Sequence, residues 1–272
     1  MIDSRVAHSA RVWNYWLGGK DNYPADQEVG DQVRALLPGI IDIAHASRGF
    51  LVRVVRYLAA EVGIRQFLDI GVGLPAVNNT HEVAQAFIPE CRVVYVDNDP
   101  LVMAHARALL TSSPPGVTDF IHADLRDPET ILRDAARTLD LTRPVALMLL
   151  GILNFITDTD QAHAIVNRLL DALPTGSYLL LSHPASEVNR EAMLEYRQLW
   201  NEGAAPPITT RSRQELTRFF DRLELLEPGV VSCPLWRPDP SHVGTPMAVD
   251  EFCGVGRKPP LSAHGCTAMR TG

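Results

Sequence analysis

The chain has 272 residues, 46% hydrophobic and 21% charged, enough for a sizeable core and outside the range of disordered or repetitive chains. A net charge of −7 denies it the basic field that draws in nucleic-acid backbones. No run of about 18 apolar residues offers a membrane span and the N-terminus lacks the layout of a secretion signal, so a cytoplasmic protein with no nucleic-acid or membrane partner is expected.

The first 64 residues read as a helical block. Residues 26–37 place Val29, Val33, Leu36 and Leu37 on one face, and Leu51, Val54, Val55, Leu58 and Val62 repeat at helical spacing before Gly63 supplies a stop. From residue 66 the period changes. Short apolar runs at 66–71, 92–97, 117–122, 145–150 and 177–183 read as buried strands, separated by helices near 78–88, 100–110, 128–139 and 158–173. Strands apolar on both faces and joined by helical crossovers predict a doubly wound, mostly parallel, Rossmann-like α/β sheet. Beyond 184, one helix carries Val188, Ala192, Tyr196 and Leu199, a shorter one covers 211–220, and two late strands suit a closing hairpin. The predicted organisation is a helical N-terminal cap at 1–64, an α/β domain at 65–258 and a frayed tail at 259–272.

Cys91, Cys233, Cys253 and Cys266 show no CxxC pair and no histidine at finger spacing, so reduced thiols and no metal site are expected. The chemistry gathers instead at the predicted strand ends. Strand one runs into Asp69-Ile70-Gly71-Val72-Gly73, a glycine turn that lets a ligand approach bare backbone beside the next helix N-terminus. Strand two ends in Asp97-Asn98, where a ribose would present its hydroxyls. Strand three ends near Asp124-Leu125 and strand four in Gly151, with Asn154 close behind. Ligands of open α/β sheets bind at this carboxyl edge. Asp99 and Asp127, each before a proline, read as helix caps.

An acid two places before the first glycine, a carboxylate at the end of strand three and a helical block before strand one resemble class I S-adenosylmethionine methyltransferases. More narrowly, ARVWNYWLGGKDNYPAD at 10–26 with RQFLDIGVGLP, VVYVDNDP and ADLRDP resembles the actinobacterial S-adenosyl methyltransferase family, once a domain of unknown function. The resemblance spans about residues 5–258, although Val72 stands where the family commonly has Thr. It implies S-adenosylmethionine as cofactor, with Asp69, Gly71, Gly73, Asp97, Asn98, Asp124, Leu125 and Gly151 as candidate binding residues. It names no methyl acceptor.

The Gly18-Gly19-Lys20-Asp21-Asn22 turn, flanked by Trp13, Tyr15 and Trp16, reads as a cap over the cofactor. Tyr15 would border the sulfonium, while Lys20 or Asp21 would meet the methionine end. The aromatics of 184–250, Tyr196, Trp200, Phe219, Phe220 and Trp236, are expected to wall a pocket for a small, partly apolar acceptor. Asn154 would orient its nucleophile and His183 relieve it of a proton. Two other readings share the glycine turn: a non-catalytic module that holds the cofactor or its demethylated product, and a nicotinamide oxidoreductase, which lacks an expected Tyr-x-x-x-Lys pair. The sequence fixes no oligomeric state.

Overall fold

A computed structural model describes residues 3–239 and 244–260. Three helices come first: α1 (Ser9–Trp16), α2 (Pro24–Leu36) and α3 (Ile40–Arg56), the last running through a π-helical turn at Tyr57–Val62 to a left-handed Gly63. An alternating series follows: β1 (Gln66–Ile70), α4 (Thr80–Phe87), β2 (Arg92–Asp97), α5 (Pro100–Leu109), β3 (Val117–His122), α6 (Pro128–Ala135), β4 (Ala146–Leu150), α7 (Thr159–Asp171) and β5 (Tyr178–Pro184). The chain closes with α8 (Arg190–Gly203), α9 (Arg213–Arg218) and the strands β6 (Glu224–Leu225), β7 (Val231–Ser232) and β8 (Glu251–Arg257).

The sheet order is β3-β2-β1-β4-β5-β8-β6, with β7 also on β8. The first five strands are parallel, and β8 enters antiparallel between β5 and β6. The predicted mixed α/β architecture with a mostly parallel sheet is therefore present. In place of one closing hairpin, β6 and β7 each pair separately with β8. Alternate residues serve opposite faces, as a two-residue period requires. Leu68, Val94, Leu147 and Leu179 pack toward α6, α7 and α9, while Phe67, Val93, Met148 and Leu180 pack toward α3, α4 and α5. A third apolar cluster joins the N-terminal helices to α8 through Val12, Trp16, Val33, Ile40, Ile43, Met193, Tyr196 and Trp200. That cluster sets the helical block against the carboxyl ends of the parallel strands.

Cys91, Cys233 and Cys253 are buried free thiols, and among the described residues no group of acidic, histidine or cysteine side chains could hold a metal ion. No single helix among them is long and apolar enough to cross a membrane. Cys266, His242, His264 and the expected tail beyond residue 260 lie outside the described residues.

Candidate functional site at the strand ends

A cavity of about 420 Å³ opens along the carboxyl ends of β1, β2, β3 and β4 and runs beneath α1 and α3. Gly71 has a φ of 81° and Gly73 one of 64°, conformations that favour glycine. A side chain on Gly71 would collide with Ile152, and the space over Gly73 is open, so bare backbone faces the cavity there. The helix N-terminus expected beside this turn stands further off. Residues 71–79 form a loop, and α4 starts at Thr80 with its own cap from Asn79, whose backbone N–H is answered by Glu82 at 2.7 Å.

Acidic groups follow in strand order. Asp69 is buried and accepts a hydrogen bond from Thr80 Oγ1 at 2.7 Å. Burial pushes its pKa up to about 6, against the lowering influences of Thr80 and the Arg48 guanidinium. Asp97 accepts the Gly73 N–H on one oxygen (3.1 Å) and the Asp99 N–H on the other (2.9 Å), which leaves each oxygen a further lone pair. Burial raises its pKa, and those two N–H groups oppose the rise. Asp124 is half-buried. Burial raises its pKa, but the Arg126 N–H, the Asn98 amide and the Arg126 guanidinium outweigh that and leave it below the ordinary value. Asn98 Nδ2 donates to Asp124 at 2.9 Å, tying the ends of β2 and β3 together. Leu125, Gly151 and Asn154 also line the cavity, and Asn154 Oδ1 is buried without a hydrogen-bond partner. Asp99 and Asp127 cap α5 and α6 as expected.

The segment 10–26 does border this cavity, but through other residues than those anticipated. Trp13, Asn14, Trp16, Leu17, Gly18 and Gly19 line it, whereas Tyr15, Lys20 and Asp21 do not. The Tyr15 hydroxyl turns outward to Asp31 at 2.8 Å. Asp21 engages through its backbone N–H, which donates to Asn14 Oδ1 at 3.0 Å and so pins the turn. The difference follows from helix geometry: Ser9, Trp13 and Leu17 repeat at four-residue spacing along the cavity-lining side of α1, and Tyr15, two residues from Trp13, turns about 200° away from it.

His183 also departs from expectation. It is fully buried and outside the cavity lining. Arg211 Nη1 donates to its Nε2 at 2.7 Å. Arginine has only donors, so Nε2 is the acceptor, the ring is neutral, and Nδ1–H donates to the Pro184 carbonyl at 2.8 Å. Burial and the adjacent guanidinium depress its pKa to about 3. Both nitrogens are thus engaged behind the cavity wall, and His183 is no general base. Arg211 also donates to the carbonyls of Leu153 and Ile156, holding the loop that carries Asn154. Of the aromatics expected to wall the cavity, Tyr196 and Trp200 do so; Phe219, Phe220 and Trp236 pack in the sheet cores instead.

Two cavity residues escaped the sequence reading. Arg48, on α3, donates to the carbonyls of Val77 (2.8 Å) and Asn78 (3.0 Å) beside Asp69. Glu251, the first residue of β8, is buried with Oε1 unpartnered. The available signal was a charge on an otherwise apolar inward stripe, Glu251-Cys253-Val255.

A ligand for this edge would meet a cation and a buried carboxylate (Arg48, Asp69), then a bidentate acceptor (Asp97), then a further acceptor (Asp124). These match in turn an amino-acid zwitterion, a ribose diol and an exocyclic amine. The family profile described as S-adenosyl methyltransferase matches residues 1–259. A DUF574 family protein from Streptomyces avermitilis MA-4680 is 43% identical, covering 95% of this chain and 100% of that one at a TM-score of 0.90. A protein of Thermobifida fusca YX, solved as a candidate methyltransferase, is 41% identical over 94% of this chain and 97% of its own, at 0.86. The plantazolicin methyltransferase BamL, at 11% identity and a TM-score of 0.50, shares the fold alone. No curated protein matches the chain. The chain belongs to the S-adenosyl methyltransferase family, and it is an S-adenosylmethionine-dependent methyltransferase.

Proposed function

We propose that this enzyme methylates a small-molecule nucleophile in the cytoplasm, with residues 1–64 acting as a cap that closes donor and acceptor into one cavity. The observation that carries the reading is the cavity's continuity. One end presents Asp69, Gly73, Asp97 and Asp124, the other an aromatic wall of Trp16, Tyr196 and Trp200, and α1 lies across both. A cavity of this size and composition suits a metabolite rather than a polymer, and the net charge of −7 argues the same way.

In this reading Arg48 and Asp69 hold the carboxylate and ammonium of the cofactor's methionine end, Asp97 both ribose hydroxyls, and Asp124 the adenine amine, with Asn98, Leu125 and Gly151 shaping the floor. S-adenosylmethionine supplies an electrophilic methyl on a sulfonium. The protein's part is to position the nucleophile in line and keep water out, which the aromatic wall and α1 accomplish. Asn154 orients the acceptor.

The test supplies labelled S-adenosylmethionine together with a small-metabolite extract, tRNA and DNA. Label should enter the small-molecule fraction. Asp97→Ala should weaken S-adenosylhomocysteine binding by roughly 1.5–3 kcal/mol in a folded protein, the range for hydrogen bonds to a charged group. Preferential labelling of nucleic acid would overturn the acceptor class, and unchanged affinity in the variant would overturn the cofactor placement.

A further inference from the structure

The lining of the cavity includes a buried carboxyl group, Glu251, whose Oε1 has no hydrogen-bond partner. The residue is 2% exposed, and the Ser182 hydroxyl, itself buried and unpartnered, lies close enough to oppose the rise in its pKa. Burial of such a group is costly unless a cation or a donor completes it. Among the described residues no cation meets it, and the donors beside it are the neutral hydroxyls of Ser182 and Tyr196. The two arginines that line the cavity are engaged elsewhere: Arg48 donates to Val77 and Asn78, and Arg126 to Asp124 and the Phe155 carbonyl.

Glu251 shares its cavity lining with a cluster of π faces. Trp16, Tyr196 and Trp200 stand with ring centroids 6.1–6.4 Å apart. Both indole N–H groups are already spent, Trp16 on the Gly30 carbonyl and Trp200 on the Pro206 carbonyl, so the rings present surface rather than donors. A second acceptor, Asn154 Oδ1, is likewise buried and unpartnered. The backbone sets these groups close in the sheet. Gly151, three residues before Asn154, donates its N–H to the Ser182 carbonyl at 3.0 Å, and Glu251 pairs with Pro184 on the same strand.

A carboxyl group, an amide oxygen and aromatic faces, whose only cationic complement must come from a ligand and whose own donors are neutral (the Asn154 amide and the Ser182 and Tyr196 hydroxyls), suit a cation or a group rich in N–H. A hydroxyl has one hydrogen to offer, a carboxylate acceptor would be repelled, and an ammonium satisfies both acceptors and gains from the rings. We propose that the methyl acceptor is a small amine whose nitrogen is bound by Glu251 and Asn154 against the Trp16–Tyr196–Trp200 wall, and that Glu251 is the base that receives its proton. The proposal rests on the small-molecule reading above.

The proton balance is direct. The ammonium gives one proton to the Glu251 carboxylate and becomes a neutral amine with a free lone pair. That pair forms the new N–C bond as the S–C bond breaks with its electrons left on sulfur. The positive charge passes from the sulfonium to the methylated ammonium, which remains beside Glu251 and the aromatic faces. Burial pushes the Glu251 pKa up to about 8 in the ligand-free protein; an ammonium bound beside it favours the carboxylate, which then takes the proton as the amine is methylated. The titratable side chains that act with it are Tyr196 from α8 and Cys233 from the turn after β7, and burial holds both in their neutral forms.

Calorimetry with S-adenosylhomocysteine bound tests the idea without turnover. The probes are a panel of primary amines from butylamine to 2-phenylethylamine and tryptamine, each beside its isosteric alcohol. At least one amine should bind ten-fold or more tighter than its alcohol. Glu251→Gln should erase that preference and leave S-adenosylhomocysteine affinity intact, and Glu251→Asp should restore part of it. Alcohols that bind as well as amines, a panel that fails to bind at all, or a preference that survives in Glu251→Gln would each overturn the proposal. Failure of S-adenosylhomocysteine itself to bind would strike the cofactor placement instead.

Discussion

Glu251 makes a second, independent claim about stability. In the unfolded chain its carboxyl has the ordinary value of 4.5, and in the folded chain burial raises it to about 8. Between those values the folded state keeps a proton the unfolded state has lost, so stability falls as pH rises through the window and the loss is complete above about 8. Glu251→Gln has no proton to lose. Thermal melts of the ligand-free protein should therefore show the variant gaining little near pH 4.5 and progressively more toward pH 8, by a few kcal/mol at the plateau. Asp69, also raised, is common to both proteins and cancels in the difference. A stabilisation independent of pH would mean that the carboxyl is not buried as described. At this scale the sequence was legible where a motif repeats in every strand of the sheet edge: Asp69, Gly71, Gly73, Asp97 and Asp124 all reach the cavity. It was misleading where reach depends on side-chain direction. Lys20 stood out for its rarity and His183 for its position, yet neither faces the cavity.

Among the elements, the inner strands were readable because burial on both faces leaves an apolar run, and β2 begins and ends where that run predicted; the edge strand β3 is only partly buried yet keeps the expected bounds. Helix α3 was not. Its first turns carry Asp42, His45, Ser47 and Arg48, which break the apolar stripe, so the sequence marked only its second half. Ser47, Arg48 and Leu51 line the cavity, so the stretch that breaks the apolar stripe is the one that faces it. The seam between α1 and α2 is held by a buried pair, in which Arg11 Nε donates to Asp26 at 2.8 Å. The same carboxylate accepts the N–H of His8 at 2.9 Å and of Tyr23 at 2.8 Å. Asp26→Ala leaves the guanidinium buried without its partner, a loss of about 3–5 kcal/mol. Urea unfolding followed by tryptophan emission should show a lower midpoint and earlier exposure of Trp13 and Trp16. An unchanged midpoint would show that α1 is held by apolar packing alone.

On the scale of the whole molecule, the cavity draws on residues as distant in sequence as Trp13 and Glu251, so no local window of sequence could have displayed it. The last strand supplies Glu251 only after β8 has inserted antiparallel beside β5, and the N-terminal block supplies its wall only once docked on α8 through Trp16, Tyr196 and Trp200. Binding a ligand in that seam must therefore stabilise parts of the chain that share no strand. Saturation with S-adenosylhomocysteine at 100 times its Kd should add about 2.7 kcal/mol to global stability. The pattern of amide exchange discriminates more sharply. If α1 and α3 close over the cofactor, protection should rise in 9–19 and 47–51 together with 71–79, while α9, packed on the far face of the sheet, stays unchanged. Protection confined to 71–79 and the end of β2 would leave the glycine turn as a binding site and remove the cap, since a helix that touches the ligand cannot be indifferent to its presence.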